Sequence, residues 1–150
     1  MSTTDPLSWA YHPDFSDHLV TKKSEIALRL LETADIALSF ARALVAKEFA
    51  KASSLLTADA ATSNPADRLR KQFESMIRFE GDDAVWPDYV QVTIATDASD
   101  MDDWVGRQPQ DFGWAYVAIG RNRYYDEAVA VLVVEQSARL AISEITWGRP

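Results

Sequence analysis

Apolar positions are densest between residues 127 and 147, where two β-rich runs flank a short polar break. Residues 127–134 are apolar at nearly every position, whereas residues 138–147 alternate between apolar and polar side chains. Two such runs, joined by the polar residues 135–137, predict a β-hairpin. Because the first run is apolar on both faces, we expect that strand to lie in the middle of a sheet.

The alternation in the second strand changes phase along its length. Leu140 and Ile142 fall on one face, and Ile145 and Trp147 fall on the other. A strict period of two cannot place all of them inward, so we expect a β-bulge near residues 143–144. A bulged hairpin bends, and a bent sheet needs a helix packed in its concavity.

Upstream, apolar residues recur with the helical period of 3.6. Ser24 can act as an N-cap, so we predict that a long helix begins near it and that residues 1–24 are an irregular lead-in. The period fails at Lys47 and Glu48, which predicts a turn there and then a second, brief helix. The stripe of the long helix is rich in alanine, which lets a sheet approach closely. Its members are Ile26, Leu30, Ala34, Ala37, Phe40, Ala41 and Leu44.

A third helix is predicted to begin at Asn64 as its N-cap, with Pro65 in the first turn and Gly81 ending it. Strand-like alternation follows in residues 90–96 and again in residues 113–120. Helices followed by antiparallel strands are the order of an α+β domain. We therefore predict a single domain, residues 1–150, in which a strongly curved antiparallel sheet of about four to six strands wraps around the long helix, with two further short helices.

The excess negative charge of the chain lies in one part of the sequence. The net charge is −8, from 23 acidic and 15 basic residues. No Lys or Arg lies between Arg78 and Arg107, but eight acidic residues do. Such a segment can steer a basic partner, although loops also carry aspartate for turns and solubility. The acidic residues are Glu80, Asp82, Asp83, Asp88, Asp97, Asp100, Asp102 and Asp103.

Composition narrows the classes of function. The negative charge argues against nucleic acid as a direct partner, since phosphate binding requires clustered Lys and Arg. The chain has no cysteine, which excludes disulfides, thiolate metal sites and cysteine nucleophiles. No secretory signal and no apolar run of membrane-spanning length is visible, so we expect a cytoplasmic protein that does not bind membranes. No cofactor is indicated.

Two histidines and two carboxylates lie close together near the N-terminus. Their spacing matches no helical metal motif such as His-Glu-x-x-His, so surface or capping roles are favoured over a metal site. The residues are His12, Asp14, Asp17 and His18.

Aromatic residues accompany the acidic segment in or beside predicted loops. Aromatic anchors ringed by acids suit a basic protein partner, whereas rings that fold back onto the core are the simpler alternative. These residues are Trp86, Tyr89, Trp104, Phe112, Tyr124 and Tyr125.

The chain resembles the nuclear transport factor 2-like superfamily, also called cystatin-like or ketosteroid-isomerase-like. Residues 40–56 resemble its first helix, turn and short second helix, residues 65–77 its third helix, and residues 113–147 its final strands. The resemblance implies a cone-shaped domain with a pocket at its open end. Lys47 and Glu48 stand where relatives often carry Gly followed by Asp or Asn.

The C-terminal ending, residues 144–150, with residues 125–129 before it, also resembles the bacterial immunity proteins built on this fold. That resemblance implies a non-catalytic protein that binds and neutralises a cognate toxin, and an acidic surface suits a basic toxin domain. The candidate partner-binding residues are Asp97, Asp100, Asp102, Asp103, Trp104, Tyr124 and Tyr125.

The alternative is a small-molecule-binding or isomerase/dehydratase-like enzyme that uses the cone pocket. Ketosteroid-isomerase relatives use an aspartate base with acidic hydrogen-bond donors, and the candidates expected to face inward here are Asp97, Tyr116 and Glu144. Trp114, Tyr116 and Trp147 are the candidate pocket walls. No histidine lies in the strand region to act as general base, so protein binding is favoured. A homodimer through the open sheet face is compatible with either function.

Overall fold

The computed structural model describes residues 17–93, 111–121 and 124–148, with side chains for 31–93, 113–121 and 127–148. Within this part of the chain, four helices precede four antiparallel strands, which confirms the predicted α+β class.

Helix α1 (Asp17–Val45) begins well before the predicted start. The expected N-cap at Ser24 is therefore wrong, as is the irregular lead-in for residues 17–24. Serine carries only a small penalty inside a helix, and no Gly or Pro lies between Asp17 and Ser24. Nothing in the local sequence interrupts the helix at that point.

The described part of the apolar stripe of α1 reaches the protein core from Ala37 onward. Ala37, Phe40, Ala41 and Leu44 are fully buried, and the helix contacts all four strands. Asp35 is exposed on the other face, so α1 has the amphipathic pattern that its sequence predicts. The small alanine side chains let the helix backbone approach the sheet closely.

The chain turns at residues 46–48, as the interrupted periodicity predicts. Glu48 N donates to Ala43 O (2.8 Å), and Lys47 N donates to Leu44 O (3.1 Å). These bonds form a Schellman motif whose left-handed position is Lys47, with φ of 63°. Glycine adopts this φ without steric cost, so a lysine at this position carries a backbone penalty that glycine would not.

Helices α2 (Phe49–Ser54) and α4 (Ala66–Met76) correspond to the two predicted short helices, whereas α3 (Ala58–Ser63) is not predicted. The Thr57 hydroxyl caps α3 by accepting from Ala60 N (3.2 Å). Helix α3 has no buried residue, so apolar periodicity could not reveal it.

The expected capping role of Asn64 is also wrong. Its side-chain amide donates to Ala60 O (3.0 Å), and Asn64 thereby closes α3 instead of opening α4. Pro65 takes the N-cap position of α4. Because α3 ends immediately before it, the Asn64 side chain donates to a carbonyl of α3. The Asn64-Pro65 sequence alone does not show that such an acceptor is close.

The strands form one sheet in the order β1-β2-β3-β4, and every neighbouring pair is antiparallel. Strand β3 lies between β2 and β4 and is buried on both faces from 131 to 134, so the predicted mid-sheet position is confirmed. The bounds are β1 (Tyr89–Thr93), β2 (Asp111–Arg121), β3 (Tyr124–Gln136) and β4 (Arg139–Trp147).

The predicted bulge lies in β4. Leu132 pairs with Glu144 and Val133 pairs with Ile142, which leaves Ser143 without a Cα partner. Beyond this bulge, Ile145 and Trp147 pack against the same core as Ile142. One extra residue thus corrects the phase of the alternation.

The outer side of β4 is paired by the segment between α2 and α3. Ile142 N donates to Leu55 O (2.9 Å), and Ile142 O accepts from Thr57 N (2.8 Å). Arg139 Nη2 also donates to Leu56 O (3.3 Å). These bonds satisfy backbone groups that an edge strand would otherwise leave open at this point.

Strands β3 and β4 are joined by the two-residue turn Ser137 and Ala138, which is shorter than the predicted polar break. Both residues have positive φ, 54° and 59°. This is the type I′ pattern, in which Asn-Gly is strongly preferred and other residues carry steric cost.

We expect the double change Ser137→Asn/Ala138→Gly to raise the free energy of unfolding by about 1 kcal/mol, because it relieves two left-handed residues. Urea unfolding monitored by circular dichroism measures the change. As a control, Ala138→Val should destabilise, since a β-branched residue tolerates this φ least. Equal stability of all three proteins would contradict the turn geometry.

Candidate functional site

Helix α4 is positioned by an apolar face and ended by a second Schellman motif. Leu69 and Phe73 are fully buried. After the helix, Phe79 N donates to Glu74 O (2.8 Å), and Arg78 has φ of 58°. Arg78, and not the expected Gly81, therefore takes the left-handed position that ends α4.

Trp86 fastens the loop after α4 to the end of α1. Its indole Nε1 donates to Val45 O (2.8 Å), and its ring packs edge-on against Phe73 and Phe79 at 5.3 and 5.2 Å between centroids. The ammonium of Lys47 lies 4.6 Å from the ring centroid. Trp86 thus folds back onto the core rim, which is the simpler of the two roles considered for it.

Arg121, the last residue of β2, holds the same loop to the sheet. Its Nη1 donates to the carbonyl oxygens of Trp86 (2.8 Å) and Asp83 (3.2 Å). The Asp82 carboxylate caps a single 3-10 turn, Asp83–Val85, within the loop. The loop backbone is therefore fixed both to α1 and to the sheet.

The acidic side chains of this loop face solvent. Glu80, Asp82, Asp83 and Asp88 are all exposed, and the Asp83 side chain is 84% exposed. Asp83 lies 3.7 Å from Lys47 Nζ, but an exposed pair at this distance contributes little to stability. We call residues 80–88 the acidic loop. It carries half of the eight acids of the acidic segment.

A groove lies beside the acidic loop, between the end of α4 and the ends of β2 and β3. Its first part is a cavity of about 580 Å³ that also carries the charged residues Arg78, Arg121 and Glu127. We call this part the apolar lobe. Its apolar lining residues are Met76, Ile77, Ala84, Val85, Pro87 and Ile119.

The second part of the groove carries four charged side chains among its described lining residues, against three in the first part. It is a cavity of about 620 Å³ that shares Met76, Arg78 and Glu127 with the apolar lobe. We call it the cationic lobe. Its remaining lining residues come from α4 and the end of β4, and are Arg68, Lys71, Gln72, Ser75, Trp147 and Gly148.

Neighbouring carboxylates balance some of the cations on α4. Arg70 hydrogen-bonds to Asp67 and, at 2.9 Å, to Glu74, while Lys71 Nζ lies 3.0 Å from Asp67. The hydrogen bond from Arg70, followed by that from Lys71, lowers the pKa of the Asp67 carboxyl. The Asp67 carboxylate in turn raises the pKa of the Arg70 guanidinium. Both shifts favour the charged forms of Asp67 and Arg70.

Arg68 and Arg78 differ from these residues. Within the described part of the chain, neither guanidinium has an ion pair or a hydrogen bond, and both residues are exposed. Glu127 likewise has no side-chain partner among the described residues. The groove therefore offers two cations whose charge no described neighbour balances.

The predicted partner-binding residues lie outside the described residues, except for Tyr124 and Tyr125, which are in β3 and whose side chains are not described. Their role in partner binding stays a prediction. The residues outside are Asp97, Asp100, Asp102, Asp103 and Trp104.

Tyr116 and Glu144 do not face inward as expected. Tyr116 alternates with the core residues Ala115 and Val117, and therefore lies on the sheet face opposite α1, together with Trp114. The bulge that turns the end of β4 inward leaves Glu144 exposed. Neither Tyr116 nor Glu144 lines the groove.

Of the three predicted pocket walls, Trp147 lines the cationic lobe, and Trp114 and Tyr116 line neither lobe. The rings of Trp114 and Tyr116 are half-buried on the sheet face opposite α1, which is where the homodimer interface is predicted. That interface stays a prediction.

The cations of the groove are not predicted from the sequence, because the prediction uses the distribution of charge along the sequence and identifies only the acidic segment. A usable signal was present in α4, where the polar residues Arg68, Lys71, Gln72 and Ser75 follow helical spacing. They form one polar stripe that lies beside the buried Leu69 and Phe73 positions. Arg78 and Glu127 carry no such local signal.

Among the described residues, no group of three or more His, Asp or Glu side chains is arranged to hold a metal ion. The side chains of His12, Asp14, Asp17 and His18, for which surface or capping roles are predicted, lie outside the described residues. No helix in the described ranges is both long and apolar enough to span a bilayer.

Comparison of the chain with protein-family models, with curated proteins and with solved structures finds no match. The geometry of the acidic loop and of the groove therefore carries the functional argument.

We expect Trp86→Phe to lower the free energy of unfolding by about 1 kcal/mol, because Val45 O loses its indole donor while most ring packing remains. Trp86→Ala should cost about 3 kcal/mol, since the ring contacts are lost as well. Urea unfolding measures both values. Val85→Ala, at an exposed position of the same loop, is the control and should change stability little. An alanine variant of Trp86 as stable as the parent would contradict the anchoring role.

We expect Lys47→Gly to be more stable than Lys47→Ala by about 1 kcal/mol, because only glycine adopts the left-handed backbone without cost. Both changes remove the contact of the ammonium with Trp86, so the difference between their free energies of unfolding reports the cost of the left-handed backbone at position 47. Thermal and urea unfolding of the two variants give this difference. A Lys47→Ala protein at least as stable as Lys47→Gly would show that the turn is not left-handed.

Proposed function

We propose that this chain is a non-catalytic, protein-binding domain of the nuclear transport factor 2-like type. More concretely, we propose a cytoplasmic immunity protein that neutralises a basic bacterial toxin. The observation that carries the proposal is the acidic loop, in which a fixed backbone presents exposed carboxylates.

The fixed backbone supports binding because it reduces the entropy lost on association. Trp86 and Arg121 hold the loop from two directions, so its conformation in the free protein can be that of the complex. Exposed carboxylates of one sign raise the rate of encounter with a basic surface. A toxin that acts on nucleic acid carries such a surface.

The cone-shaped form of the domain belongs to the same proposal. Three register shifts support a bent sheet, two between β2 and β3 and one between β3 and β4. The contacts of α1 with all four strands support a helix within the bend. A crystal structure with a flat sheet would contradict this part of the proposal.

Capture from a lysate of the native host, followed by mass spectrometry, should identify a basic protein as the partner. Co-expression of this chain with that protein should restore growth that the partner alone arrests. Binding without rescue of growth would leave a protein-binding domain but contradict the immunity role.

Removing charge from the acidic loop should slow association with the captured partner. We expect Glu80→Gln/Asp82→Asn/Asp83→Asn to lower the association rate constant by about three- to tenfold at low ionic strength, and the difference should shrink at high salt. Stopped-flow or surface-based kinetics measure this rate.

The matched control removes the same number of charges from exposed acids on α1 and α3, as Glu32→Gln/Asp35→Asn/Asp59→Asn. These variants should bind nearly as fast as the parent protein. Equal slowing by both sets would assign the effect to net charge, and no slowing by either set would exclude the acidic loop from the interface.

A further inference from the structure

The two lobes of the groove differ in chemistry but form one continuous surface. The apolar lobe is lined mainly by aliphatic side chains and Pro87, while the cationic lobe carries Arg68, Lys71 and Arg78. Met76, Arg78 and Glu127 line both. Each volume, about 580 and 620 Å³, lies in the range typical of small-molecule sites, roughly 300–1,000 Å³. A ligand that spans the groove must therefore carry both an apolar part and a polar part.

The sign of the charge on the polar part follows from the pairing of the cations. Asp67 balances part of the charge of Lys71, whereas no described carboxylate lies within ion-pair distance of Arg68 or Arg78. Guanidinium groups bind carboxylates and phosphates through paired N–H donors. Glu127 lines both lobes and is a carboxylate without a described partner, but the two guanidinium groups outnumber it and therefore favour an anionic head group.

The Trp147 ring favours an organic molecule over a simple inorganic ion in the cationic lobe. The half-buried ring of Trp147 adds an apolar surface next to the cations.

We propose that this groove binds a free amphipathic organic anion, with its apolar body in the apolar lobe and its carboxylate or phosphate head between Arg68 and Arg78. This site is separate from the carboxylates that carry the protein-binding proposal. It does not depend on that proposal, and either can fail while the other holds.

Isothermal titration of the full chain with four small probes separates the two contributions. Octyl phosphate and octanoate carry both parts of the proposed ligand, octanol carries only the apolar part, and inorganic phosphate carries only the anion. Used below their micelle concentrations, the two octyl anions should bind at least about tenfold more tightly than either single-part probe. Equal affinity for octanol, equal affinity for inorganic phosphate, or no binding of the octyl anions at millimolar concentration would each overturn the proposal.

The double variant Arg68→Gln/Arg78→Asn tests the head-group position. Asn at position 78 removes the cation while tolerating the left-handed backbone, so the fold is retained. This variant should weaken octyl phosphate binding by at least about tenfold and leave octanol binding unchanged. The control Arg42→Gln/Lys51→Gln removes the same charge from exposed positions outside the groove and should bind as the parent does. Equal weakening in the control would overturn the site.

The apolar lobe needs its own variant. Ala84→Trp places a large ring at an exposed lining position, and should weaken both octyl anions by about tenfold without changing the unfolding midpoint. Unchanged affinity would overturn the placement of the apolar part of the ligand in the apolar lobe.

Vesicles of phosphatidylcholine with phosphatidic acid present the same head group within a membrane. Co-sedimentation with these vesicles, without binding of octyl phosphate, would overturn the assignment of a free ligand.

Discussion

The hydrogen bond from the Trp86 indole to the Val45 carbonyl links the parts of this protein that carry its candidate functions. A helix leaves its last carbonyl groups without intrahelical donors, and the indole satisfies one of them at the end of α1. The same ring packs against Phe73, which is buried on the inner face of α4. Burial of Leu69 and Phe73 sets which face of α4 points inward, so the polar stripe of α4 lies beside the groove. The Trp86 ring contributes to this packing and also holds the acidic loop.

Backbone strain occurs at the ends of both α1 and α4. Lys47 ends α1 and Arg78 ends α4, and each takes a left-handed conformation that glycine adopts at lower cost. Lys47 regains part of that cost through its ammonium over the Trp86 ring. Arg78 has no comparable contact among the described residues, and its side chain lines the groove.

The elements that the sequence predicts well are those whose burial follows a simple period. The stripe of α1, the mid-sheet position of β3 and the bulge in β4 all follow from where apolar side chains must go. Helix α3 has no buried residue, so its sequence shows no apolar periodicity from which to predict it. The roles of Asn64, Arg78 and Ser24 depend on which backbone group lies nearby in space, and a local motif does not contain that information. The groove joins α4 to the ends of three strands, so its residues are distant along the chain and no spacing rule connects them.

The net charge of the chain does not predict the charge of each part of its surface, because electrostatic effects are local. At physiological salt, interactions between exposed charges fade over roughly 8 Å, so a groove can be cationic in a chain of net charge −8. The acidic loop and the groove nevertheless share a structural element, since Ala84, Val85 and Pro87 of the loop line the apolar lobe. The carboxylates of the loop face solvent while these neighbouring residues line the cavity. Arg121 bonds to the loop backbone and lines the same lobe, so it belongs to both surfaces. Any displacement of this loop must therefore alter the groove and the acidic surface together.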